Sequence, residues 1–175
     1  MNPPNTIDLY ADIIPGKSAA GFTIGQKLDD IKSTITNISR WVRGKESFME
    51  AYHSNQGWMS RPISSMGNNH CREEYLYFKD IVDLHFNTKG ILYQIVVNEG
   101  YKGALWGDIH VGDKLARVHE RCPLYYDDEE IHYPDDENGP IKGLGIYADN
   151  GTLEDEPDQL INGFSIHDWA LMREV

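Results

Sequence analysis

Two apolar runs joined through a turn constrain this chain more than any other feature. Ile81, Val82, Leu84 and Phe86 form one run, and Ile91, Leu92, Tyr93, Ile95, Val96 and Val97 form a second, rich in β-branched residues. Asn87-Thr88-Lys89-Gly90 separates them, and Gly90 can adopt the positive φ that a short hairpin loop requires. The second run is apolar at nearly every position, so both of its faces are expected to be covered, which places it inside a sheet rather than at an edge.

Upstream, a segment punctuated by Pro15, Gly16, Gly21 and Gly25 predicts a turn and a short strand around Phe22 to Ile24. Leu28, Ile31, Ile35 and Ile38 then recur at helical spacing and predict an amphipathic helix from Gln26. The chain also repeats itself. Ile24-Gly25-Gln26-Lys27-Leu28-Asp29-Asp30-Ile31 aligns with Val111-Gly112-Asp113-Lys114-Leu115-Ala116-Arg117-Val118 in an aliphatic-Gly-x-Lys-Leu-x-x-aliphatic pattern. Each copy reads as strand, tight glycine turn and helix start, the two related by pseudo-symmetry. A phosphate-cradling loop would need further glycines and a Lys-Ser/Thr ending, and neither copy has them.

Between 41 and 74, aromatic residues and methionines alternate with glycines, which fits short strands and turns. Tyr75-Leu76-Tyr77-Phe78, Leu124-Tyr125-Tyr126, Ile131-His132-Tyr133, Leu144 to Ala148 and Phe164 to Leu171 read as further strands. The segments 134–140 and 153–158 read as acidic surface loops. The whole predicts a single α+β domain over residues 1–175, a mostly antiparallel sheet with two short helices beginning near Gln26 and Asp113, and a frayed start over residues 1–8.

Charge is distributed unevenly. Residues 123–175 hold 14 acids against Lys142 and Arg173, which accounts for the whole net charge of −12, while residues 1–122 balance. Such a surface argues against a nucleic-acid backbone as partner and fits a cationic one, although acids also serve solubility alone. No apolar run approaches the length of a membrane span and no signal-peptide pattern precedes the fold, so a soluble, cytoplasmic protein is expected. Cys71 and Cys122 lie far apart and form no C-x-x-C pair, which favours reduced thiols over a disulfide or zinc site. The seven histidines form no H-E-x-x-H or other spaced ligand pair, 149–154 lacks the alternation of a calcium loop, and no nucleophile motif occurs. No enzyme activity, metal or cofactor is called for.

The segment Asp12-Ile13-Ile14-Pro15-Gly16-Lys17-Ser18-Ala19-Ala20-Gly21-Phe22-Thr23-Ile24-Gly25, with Asn98-Glu99-Gly100-Tyr101-Lys102-Gly103 and the second Gly-x-Lys-Leu copy, resembles small immunity proteins encoded beside polymorphic toxins of contact-dependent inhibition, Rhs or type VI secretion systems. The resemblance implies a stoichiometric inhibitor of a cognate, basic, nuclease-type toxin. The candidate contacts are Asp127, Asp128, Glu129, Glu130, Asp135, Asp136, Glu137, Glu154, Asp155, Glu156 and Asp158 for charge, with Tyr125, Tyr126 and Tyr133 for area. Packing within the fold is the competing role for each tyrosine. The alternatives are a small-ligand binding module or hydrolase whose site assembles from distant residues such as Trp58, His85 and Trp106, and an assembly subunit.

Overall fold

From the N-terminal side, β1 (Ser18–Ala19) and β2 (Phe22–Thr23) make a small hairpin, followed by α1 (Leu28–Lys32), β3 (Ile38–Arg40), α2 (Phe48–Ser54), β4 (Trp58–Pro62), β5 (Glu73–Tyr77), β6 (Val82–Phe86) and β7 (Leu92–Asn98). The second half contains α3 (Ala116–His119), β8 (Leu124–Tyr126), β9 (Ile131–Asp136), β10 (Gly139–Pro140), β11 (Leu144–Tyr147), β12 (Gly163–His167) and α4 (Trp169–Met172). This computed structural model describes residues 7–63, 73–127, 131–149 and 151–173. Residues 1–6, Cys71, Asp128, Glu129 and Glu130 fall outside that range. No described helix is long and apolar enough to cross a membrane.

One ten-stranded sheet organises the chain. β7 lies between β6 and β12, as its nearly continuous apolar run predicts, and the order continues outward through β5, β4 and β3 on one side and through β11, β9 and β8 on the other. β3 runs parallel to β4, and every other pairing is antiparallel. The β6–β7 turn is closed from within. Asn87 Oδ1 accepts from the amides of Lys89 and Ile91, Gly90 sits at φ +71°, and the Asn87 amide reaches the carbonyl of Leu171.

Alternation along the strands gives the sheet two unlike faces. Tyr75, Val82, Leu84, Ile95, Val97, Leu144, Ile146, Phe164 and Ile166 are buried in the core with Phe22, Leu28 and Ile31 from the first half and Leu115 and Val118 from the second. Each fully buried aliphatic contributes about 1.5–3 kcal/mol, so this face carries most of the stability. The opposite face presents Arg61, Glu74, His85, Gln94 and His167 in one cross-strand row.

The repeat seen in the sequence is a repeat of structure. Gly25 donates to Leu92 O, Leu92 to Gln26 O, and Leu28 to Gly90 O; in the second copy Gly112 donates to Ile161 O, Ile161 to Asp113 O, and Leu115 to Gln159 O. The residue after each glycine caps its own turn, Gln26 Oε1 accepting from Thr23 and Asp113 Oδ2 from His110. The correspondence extends through the sheet, where Asn98 donates to Ile81 O and His167 to Gly143 O, both at 3.1 Å. β5-β6-β7 and β9-β11-β12 are thus equivalent meanders meeting at the antiparallel β7–β12 seam. Gly25 and Gly112 have φ of +90° and +92°, and a Cβ added at either meets nothing within 4 Å. Alanine at each position is therefore expected to cost about 1–2 kcal/mol from backbone conformation alone, equal for the two sites, as measured by urea unfolding.

Several expectations are corrected. The helices number four among the described residues, and α1 and α3 begin at Leu28 and Ala116 because Lys27 and Lys114 first form isolated bridges with Ile91 and Leu160. α1 ends at Lys32, so Ile35 is buried beyond it and Ile38 belongs to β3. The acidic segment after Tyr133 is not all loop, since β9 continues to Asp136 and β10 returns against it. The closing strand stops at His167, where Asp168 Oδ1 accepts the Ala170 amide and starts α4.

Candidate functional site

A cleft of about 900 Å³ opens on the polar side of the sheet at the β8–β9 end. Strand pairing sets Tyr125 opposite Tyr133, and Asp135 follows two residues later on the same face. Across the cleft, His167 is stacked on Trp169, with ring centroids 4.1 Å apart, and Lys142, Gly143 and Asp168 complete that wall. Burial pulls the His167 imidazole down to about 4, so it is neutral at ordinary pH, and its Nδ1 lies 3.1 Å from Ser165 Oγ. Ser165 and His167 are both buried, and Ser165 Oγ also accepts the Gln94 amide. His167 lines the cleft, and Ser165 supports it from outside the lining.

Asp135 is the distinctive group. Its amide donates to Pro123 O, while its carboxylate Oδ1 is buried and has no hydrogen-bond partner. A buried carboxylate oxygen without a partner carries an unrecovered desolvation cost and attracts a donor. Tyr125, 63% exposed, Tyr133 and Trp169 line the same cleft, and aromatic rings favour a cation.

The remaining predicted residues divide between two sides of the same end. Asp127 Oδ1 accepts the Ile131 amide and Asp136 Oδ1 the Asn138 amide, so both shape the turns flanking β9. Glu137 is exposed beside Asp136. Tyr126 points the opposite way from Tyr125, lying 4.9 Å from the His132 ring, and borders a smaller hollow with Leu153 and Glu154. Asp155 bonds the Thr152 hydroxyl, Asp158 is paired with Lys114 at 2.7 Å, and Glu156 is exposed. Among the described predicted residues, the acids therefore border more than one hollow at this end, and only Tyr125, Tyr133 and Asp135 line the cleft.

No protein-family model, curated protein or solved structure matches this chain.

The distant trio does not assemble. Trp58 is in the core, edge-on to Phe22, His85 is on the opposite sheet face, and Trp106 stands at the Leu105–Ile109 bridge beside Arg121. Burial, then Asp135 and Asp136, pushes the Cys122 thiol up, so it is a poor nucleophile. The sequence reading missed Trp169 and His167 as cleft residues. It also missed a cluster of Glu74, Asp83 and His85 on β5 and β6. The period-two spacing of Asp83 and His85 was its only local trace.

Proposed function

We propose that this chain is an immunity-type inhibitor that binds a basic protein toxin by seating one of its cationic side chains in the cleft bounded by β8, β9 and α4. Asp135 carries the reading, because it has an unpartnered carboxylate oxygen and lines the same cleft as Tyr125, Tyr133 and Trp169. A guanidinium or ammonium placed there gains a charge-assisted hydrogen bond and aromatic contact while water is excluded, the setting in which interface hot spots form. Asp136 and Glu137 at the exposed rim add long-range attraction, which raises association rate more than affinity.

The test uses the product of the adjacent reading frame as partner, with binding followed by interferometry. Asp135→Asn and Tyr133→Ala are each expected to weaken affinity tenfold or more, mainly through faster dissociation. The pair Asp136→Asn and Glu137→Gln is expected to slow association and flatten its salt dependence. Wild-type affinity in both cleft variants would refute the reading.

The size and aromatic lining of the cleft also suit a small organic cation. Saturable quenching of Trp169 by arginine amide, combined with no capture of the neighbouring gene product, would favour that second reading.

A further inference from the structure

We propose that Glu74, Asp83 and His85 form a binding site for one divalent first-row transition-metal ion, separate from the cleft. Strand register builds the site. Glu74 on β5 pairs with His85 on β6, and Asp83 precedes His85 by two residues and so shares its face. His85 Nε2 lies 2.9 Å from Asp83 Oδ2 and 3.9 Å from Glu74 Oε1, and one ligand atom from each residue falls within 4.8 Å of the other two. Atoms bound to one ion at 2.0–2.2 Å stand at about such mutual distances. The three side chains are 4%, 13% and 16% exposed, sheltered but reachable.

The charges call for a cation. Asp83 Oδ1 is buried without a hydrogen-bond partner. Glu74 and Asp83 bring two sheltered carboxylates to one place on neighbouring strands, an arrangement that a cation relieves. Arg61 grips Glu74 through Oε2 and leaves Oε1 towards His85, while the Phe48 ring, 4.2 Å from the guanidinium, steadies Arg61. Hydrogen bonding of that kind orients a ligating carboxylate rather than replacing the metal.

The equivalent half of the molecule shows that the fold does not require these groups. Register places Ile131, Gly145 and Tyr147 where the first half has Glu74, Asp83 and His85. Two buried carboxylates and an imidazole are thus particular to one half, and burying them has a cost that a ligand would offset. One imidazole and two carboxylates suit manganese, iron, cobalt or zinc, whereas calcium and magnesium prefer all-oxygen sites.

The experiment is calorimetric titration of zinc, and separately manganese, into the full chain stripped with a chelator. One equivalent is expected to bind at micromolar or lower Kd, and a chelator-reversible rise in Tm should accompany it. Asp83→Asn and His85→Gln are each expected to weaken binding at least tenfold and abolish the Tm rise, while Asp127→Asn leaves both unchanged. Manganese should also broaden the His85 ring resonances of the wild-type protein, a readout that needs no variant. Absence of stoichiometric binding, affinity unaltered in folded Asp83 and His85 variants, or His85 signals unbroadened at saturating manganese would each overturn the proposal and leave an ion-pair network closed by Arg61.

Discussion

Gly103→Ala is expected to lower stability by about 3 kcal/mol or more. A Cβ at that position would fall on the Ala11 carbonyl and against the Tyr101 ring, both held in place. Lys102 and Gly103 donate to Leu9 O and Ile13 donates to Ala104 O, tying the N-terminal segment to this stretch. The Tyr101 hydroxyl, buried beneath them, donates to Ala11 O at 2.5 Å and accepts the Ala20 amide at 2.9 Å. Relieving the clash means detaching that segment and leaving buried polar groups unpaired. Tyr101→Phe removes the two hydrogen bonds without a clash and is expected to cost less, about 1–3 kcal/mol. The denaturant midpoint, at unchanged slope, measures both; a Gly103→Ala protein as stable as wild type would mean that the segment is not anchored there.

The second large effect is on acid stability. His167 titrates near 4 in the fold against an ordinary 6.5, because burial disfavours the imidazolium. A depressed folded value means that the unfolded chain takes up the proton first, so stability is intact above 6.5, falls as pH drops towards 4, and is fully lost below it. The difference corresponds to roughly 3 kcal/mol. Glu74 acts oppositely, its raised folded value adding stability as pH falls, so the wild-type profile alone mixes the two. Comparing wild type with His167→Gln separates them, since Glu74 is common to both. Wild type should lose about 3 kcal/mol more than the variant between pH 7 and pH 4, by urea unfolding at each pH. Parallel curves would show that the imidazole is not shielded as Trp169 and Ser165 place it.

Elements whose local pattern and burial agree were legible in the sequence. The β6–β7 hairpin declared itself through a nearly continuous apolar run behind Gly90, and the duplicated turn through the glycine, lysine and leucine that make its backbone bonds. α2 was missed because none of its residues is buried, so no apolar stripe marks it. α4 was absorbed into the closing strand because Asp168, its cap, was read as one more polar position. At the candidate site, proximity in sequence grouped Tyr125, Tyr133 and Asp135, which line one cleft, with Tyr126, which strand alternation sends to the other side. Trp169 reaches the cleft only through the turn after β12, and Glu74 meets His85 only through register. Neither relation exists in one dimension.

The β7–β12 seam has a further consequence. Five residue pairs, from Asn98↔Gly163 to Gln94↔His167, join two meanders of the same design, and the chain crosses between them only once, through 99–115. Each meander alone would end in a bare border strand that is now buried, the kind of edge that recruits whatever backbone it meets. Fusion in one polypeptide satisfies that edge internally and frees the two halves to diverge, one towards charge on its outer face and the other towards aromatic rings. Two fragments severed within that crossing and expressed together should find each other again and restore the sheet.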